Sequence, residues 1–246
     1  MSQPSQSVRL RRVVAGAAII GCPLAGLLSA LVDADESTDT GGAELYEIAV
    51  VHSQGIWLAG VLFILSAVLT VPTATGLFHL SAGHSPRVAH LGVLFLVLGG
   101  FGHMGYGTWQ VMVSTVPGPG DPASIAAYLD RASAVHAILL PLMLSIIVGL
   151  ILCALAARRS RLLPSWVPGL LVGAAVFDVV IQSTSLGSNK WVPAVTWALA
   201  FLALAPAGVV VLRMRDAAWV GLYPHQTTTE PARTPTEAGP PQLSRS

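Results

Sequence analysis

The chain has 246 residues, of which 53% are hydrophobic and only 10% charged, and its formal net charge is +1. An ordinary soluble domain is about 25% charged, so this composition excludes a soluble globular enzyme. A single lysine, Lys190, leaves no basic footprint for nucleic acid, and two cysteines exclude a disulfide-rich scaffold.

A helix that crosses a bilayer takes about 20 consecutive apolar residues. Six stretches meet that length, at roughly 13–32, 49–71, 88–109, 134–157, 165–186 and 191–212. None alternates polar with apolar residues as a barrel strand does. Bilayer interiors offer the backbone no water, so the segments are read as helices. The predicted fold is all-α, a polytopic membrane protein with six transmembrane helices. Residues 1–12 form a short cytoplasmic segment, 13–215 the six-helix domain, and 216–246 an interfacial stretch followed by a disordered cytoplasmic tail rich in Pro and Thr.

The first span follows Arg9, Arg11 and Arg12 and contains Ile19-Ile20-Gly21-Cys22, which has the look of a lipoprotein signal. Its apolar run continues past the cysteine as PLAGLLSALV, so Cys22 is read as a small residue of a packed helix. The loop that follows, DADESTDTGGAELYE, is acidic and is read as a solvated face. The second span carries His52, Gln54, Gly55, Ala59, Ser66 and Thr70, and LFHLSAGHSPRVAH with His79, His84 and His90 connects it to the third. Around LGGFGHMGYGTWQ the third span places Gly92, Gly99, His103, Gly107 and Gln110 on one helical face. Glycines on both sides of a histidine let a helix or a flat ligand come close.

In the next connection Asp121 precedes Pro122, the signature of a helix start, with Ile125, Tyr128 and Leu129 on its apolar side. The fourth span opens with Ser133 and His136. On the fifth, Asp178, Gln182 and Ser185 share a face that Ala174 and Ala175 extend inward.

Nine arginines flank one set of span ends, and only Arg131 and Lys190 lie near the other. Basic residues favour the cytoplasm, which puts both termini inside. With that orientation His52, His136, His103, Asp178 and Gln182 all fall in the outer third of the bilayer, within about 12 Å of its boundary at 1.5 Å per residue. An ionisable group at such depth costs about 2.5–3.5 kcal/mol at mid-helix and marks a candidate site.

Three chemistries fit. In one, the outer pocket binds a small ligand, proton or cation through Asp178, Gln182, His103 and Gln54. In another, His52, His103 and His136 hold a metal or haem for redox chemistry. In the third, the polar groups are interhelical hydrogen bonds of a scaffold or complex subunit. No HExxH, CxxCH or GxSxG motif occurs, so the sequence names no cofactor and no hydrolase. The expected surroundings are the lipid bilayer, with a small ligand or cation as partner and no nucleic acid.

The opening RRVVAGAAIIGCPLAGLLSAL, the turn GLFHLSAGHSPRVAHLG and the alanine-rich, lysine-poor spans resemble uncharacterised six-helix integral membrane proteins of high-GC actinobacteria. The resemblance covers most of the membrane region but not the tail. It implies a bacterial plasma membrane location and carries no catalytic residues over.

Overall fold

A computed structural model describes residues 6–33, 41–83, 85–116, 120–160, 163–182 and 191–222. The described residues form eight helices: α1 (Gln6–Val32), α2 (Gly42–Ser81), α3 (Pro86–Thr115), α4 (Pro122–Ser133), α5 (His136–Ser160), α6 (Trp166–Gln182), α7 (Trp191–Arg213) and α8 (Asp216–Gly221). Five are long and apolar enough to cross a membrane: α1, α2, α3, α7 and the Ile138–Arg159 part of α5. The apolar run predicted at 165–186 is helical through Gln182 as α6, and the rest of that run lies outside the described residues.

Why these helices need lipid is visible on α2. Ile56, Ala59, Gly60, Phe63, Ser66, Ala67, Thr70, Ala74 and Leu77 are buried at helical spacing. Trp57, Leu58, Val61, Leu65, Val68 and Val71 between them are exposed. Leu24, Leu28 and Leu31 on α1, Leu91, Leu94 and Phe101 on α3, and Leu140, Leu144, Val148 and Leu155 on α5 repeat the pattern. A continuous apolar exterior of this kind is a solvent mismatch in water and a match in hydrocarbon.

Small residues set the packing. The inward stripe of α1 is Ala15, Gly16, Ile19, Cys22, Gly26 and Ser29, which lets α1 lie between α2 and α7. A methyl group on Gly208 would fall 2.8 Å from the Gly16 carbonyl oxygen. The α2–α3 crossing is tighter still: a methyl on Gly60 would lie 2.8 Å from the Gly107 oxygen, and one on Gly107 would lie 2.9 Å from the Gly60 oxygen. Without a hydrophobic drive between helices in lipid, such close approach is what gains dispersion energy. Helix α3 is then clasped from its other side by α5, and α6 packs on α5 and α7.

Polar contacts tie the two ends. At one, the Arg12 Nε lies 2.7 Å from Asp216 Oδ1, and its Nη1 donates to both the Val211 and Leu212 carbonyls. This one guanidinium caps the C-terminus of α7 and anchors α8. Trp219 of α8 is buried and stacks on His79, ring centroids 4.3 Å apart. At the other end, the Asp121 carboxylate caps α4 by accepting from Ser124 N at 3.0 Å and Ser124 Oγ at 2.8 Å. Those bonds hold the Asp121 carboxyl below its ordinary range. Leu129 of α4 is fully buried against Leu45, Ala49, Ile56, Trp109 and Val113, whereas Tyr128 stays exposed. Asp130 accepts from Gly42 N and so caps α2.

The helix boundaries differ from the apolar runs for stated reasons. Helix α1 is already helical at Gln6, ahead of the predicted span, because Arg9, Arg11 and Arg12 are good helix formers. Helix α2 overshoots its apolar run at both ends, because its first three turns find a partner in α4. It also breaks regularity at His52, whose φ of −119° and ψ of 22° mark a kink.

Candidate functional site

On α3, His103, Tyr106 and Gln110 are spaced by three and four residues and fall on one face. That face borders a cavity of about 230 Å³ in the half of the bundle nearer α4. Ser29 of α1, Asp33 just past its end and Phe63 of α2 close one side, and Met143, Ile146 and Leu150 of α5 another. Ala174 and Ala175 of α6, with Pro193, Thr196 and Trp197 of α7, complete the wall.

The cavity has an aromatic half and a polar end. Phe63 meets His103 edge-on at 4.8 Å between ring centroids, Tyr106 at 5.5 Å and Trp197 at 6.1 Å. His103 and Trp197 lie 5.7 Å apart. The Trp197 ring fits only because residue 26 is glycine; a methyl there would sit about 2.5 Å from the indole. At the polar end Gln110 Nε2 donates to Asp33 Oδ2 at 3.0 Å. Ser29 Oγ donates to the Ala59 carbonyl at 2.8 Å, joining α1 to α2 beside the cavity.

The Gln110–Asp33 bond fixes the direction of the amide. An ionised carboxylate only accepts, so the nitrogen must face Asp33 and Oε1 must face away as an acceptor. That Oε1 is buried and has no hydrogen-bond partner, and neither has His103 Nδ1. Both side chains are more than nine-tenths buried, at 3% and 6% exposure. A buried polar atom left unpaired costs about 1–3 kcal/mol. Two such atoms beside one cavity mark a place where something polar belongs.

The residues singled out from sequence are distributed as follows. His103 lines the cavity, with Gln110 two turns further along its predicted face. Asp178 continues α6 one turn beyond Ala174, but its side chain and that of Gln182 lie outside the described residues, as does the side chain of His136. His52 is exposed at the kink of α2. Gln54 is exposed too, on a separate surface groove with Ser53, Trp57 and Ser114. His52 and Gln54 therefore do not border the cavity that His103 lines. Among the described residues no group of three His, Cys, Asp or Glu side chains is gathered to hold a metal ion.

The glycines beside His103 are occupied by protein. Gly92 abuts Cys153, Gly99 abuts Ile146, and Gly107 abuts Gly60 and Ile64. Their role is helix approach. Sequence reasoning missed Asp33, Phe63, Tyr106 and Trp197. A signal for Asp33 exists, since it is the first charge after an apolar run of twenty residues.

Cys22 is buried, with Sγ 3.5 Å from Thr70 Oγ1 and 3.7 Å from Ser66 Oγ, as a small residue of a packed helix. No protein of curated function and no solved structure matches the chain. Residues 14–214, most of the chain and all of the long helices' apolar cores, match the domain of unknown function DUF4386, and the chain belongs to that family.

Proposed function

We propose that this is a multi-pass protein of a bacterial plasma membrane, with six spans and both termini cytoplasmic, that binds a small ligand in the cavity beside His103 and Gln110. The nine arginines at one set of span ends support the orientation. The resemblance to actinobacterial membrane proteins supports the location. One observation carries the binding role: two buried side chains that line a largely aromatic and apolar cavity, His103 and Gln110, each keep an unpartnered polar atom. Ligand sites have this composition, an apolar wall with a few convergent polar groups. The volume of about 230 Å³ suits a compound smaller than a drug-sized ligand. Asp178 and Gln182, on the face that Ala174 and Ala175 continue, join the site by the sequence pattern.

The experiment is native mass spectrometry of the full chain taken from membranes, compared with the cavity-filling variant Ala175→Phe and with His103→Leu. A small-molecule adduct on the wild type that both variants lose supports the proposal. An adduct retained by both, or a wild type that carries none and binds nothing from a metabolite extract, refutes it.

A further inference from the structure

A groove of about 530 Å³ runs along the surface of the bundle where α3 meets α4 and the start of α5. Phe101, Met104 and Met112 of α3 follow its length, and Leu139 of α5 lines it as well. Tyr128 of α4 joins it at the Met112 end, with its hydroxyl 3.9 Å from the Met112 sulfur. We infer that this groove seats one phospholipid of the adjoining leaflet, an acyl chain lying along α3 and the phosphodiester meeting Arg131 of α4.

The surroundings identify the occupant as lipid. Phe101 on α3 and Ile138, Leu140 and Leu144 on α5 are exposed beside the groove, so it indents the apolar exterior that hydrocarbon covers. Its length matches a chain. From Phe101 to Met112 helix α3 rises about 16 Å at 1.5 Å per residue, and one leaflet is about 15 Å deep, half of a core of about 30 Å. Methionine is unbranched and polarisable, and adapts to an irregular chain. Trp109 and Tyr128 border the groove near its Met112 end, and rings of this kind gather at the level of the headgroups.

Arg131 supplies the charge that a phosphodiester needs. It is exposed, and it follows Tyr128 by three residues, a spacing that makes side chains neighbours on a helix surface. Among the described residues no carboxylate forms an ion pair with it. The two acids of this segment have other partners: Asp130 accepts from Gly42 N, and Asp121 from Ser124. A guanidinium forks onto two phosphate oxygens through charge-assisted hydrogen bonds. Nine arginines flank the opposite set of span ends, and Arg131 is one of two cations near this one.

The test is native mass spectrometry of the full chain in detergent, titrated with dioleoylphosphatidylglycerol, dioleoylglycerol and glycerophosphate. The first phosphatidylglycerol should bind about tenfold more tightly than dioleoylglycerol, the worth of one charge-assisted contact. Glycerophosphate, which has no chain, should not bind. Arg131→Gln should erase the difference between the two lipids, and Arg131→Lys should keep part of it. Thr108→Phe, at an exposed position of the groove, should weaken both lipids. A preference for phosphatidylglycerol that is absent, or indifferent to Arg131→Gln, would overturn the inference. So would lipid binding indifferent to Thr108→Phe, which puts the chain elsewhere. Glycerophosphate bound as tightly as lipid would make this a free-phosphate site, and a lipid-free dimer would give the groove to a second copy; either result overturns it. All of these outcomes are independent of the cavity beside His103.

Discussion

Gln110 and Asp33, 77 positions apart, are joined by a 3.0 Å hydrogen bond from the amide nitrogen to the carboxylate. The bond ties the end of α1 to α3, and it also decides which amide atom is left over. The two polar side chains of the cavity should consequently respond in opposite ways to the same kind of substitution. Gln110→Leu removes a donor from the Asp33 carboxylate and should lower stability by about 1–3 kcal/mol. His103→Leu removes a buried atom that has no partner, and should leave stability unchanged or raise it. Thermal unfolding of the two variants in detergent checks this; equal losses would mean that His103 is held by a bond of its own.

The α2–α3 crossing offers a second check. Gly60 and Gly107 oppose each other so closely that an added methyl on either meets the other's carbonyl. Gly107→Val should destabilise by about 1–3 kcal/mol or more as an overpacked contact. Gly41, whose methyl position is open, should tolerate alanine. Similar unfolding midpoints for the two variants would contradict the crossing.

Arg12 reaches two kinds of partner, the Asp216 carboxylate and the last carbonyls of α7. Arg12→Gln should therefore cost more than Asp216→Asn, by about 1 kcal/mol or more, because it also uncaps the helix. The loss should also free α8, and limited proteolysis after Trp219 should accelerate in Arg12→Gln. A larger effect from Asp216→Asn would reverse the assignment.

Asp121 gives the chain a local acid response. Its carboxyl is held below the usual 3.8 by the two bonds from Ser124. A depressed carboxyl contributes stability above its unfolded value and loses it as pH falls through the folded one. Amide exchange at Ser124 and Ile125 should thus quicken relative to the rest of α4 only as pH drops below about 3.8. In Asp121→Ala the faster exchange should be present at neutral pH as well. Exchange that is equally slow in the variant would remove Asp121 as the cap.

Much of the architecture was readable because a membrane helix is a one-dimensional signal: the apolar runs are helices, and the Asp121–Pro122 start of α4 is where its cap chemistry indicates. The run lengths were less readable. Gly42–Ile48 is too polar to count as part of a span, yet it is helical because α4 buries Leu45. The site was half legible. His103 and Gln110 share a face seven residues apart, a property of α3 alone. A constant 100° per residue puts His52 on one face with Gly55 and Ala59, and the kink at His52 removes that regularity. Asp33 and Trp197 come to the cavity through tertiary packing, across Gly26 and the α1–α7 contact, and no local period encodes that.

The most direct measurement is a density map of the full chain purified from its native membrane, at a resolution that shows ordered small molecules. The account expects non-protein density between the Phe63, Tyr106 and Trp197 rings, within about 2.7–3.2 Å of Gln110 Oε1. A cavity closed by its own side chains, with Gln110 Oε1 and His103 Nδ1 both bonded to protein, would contradict it.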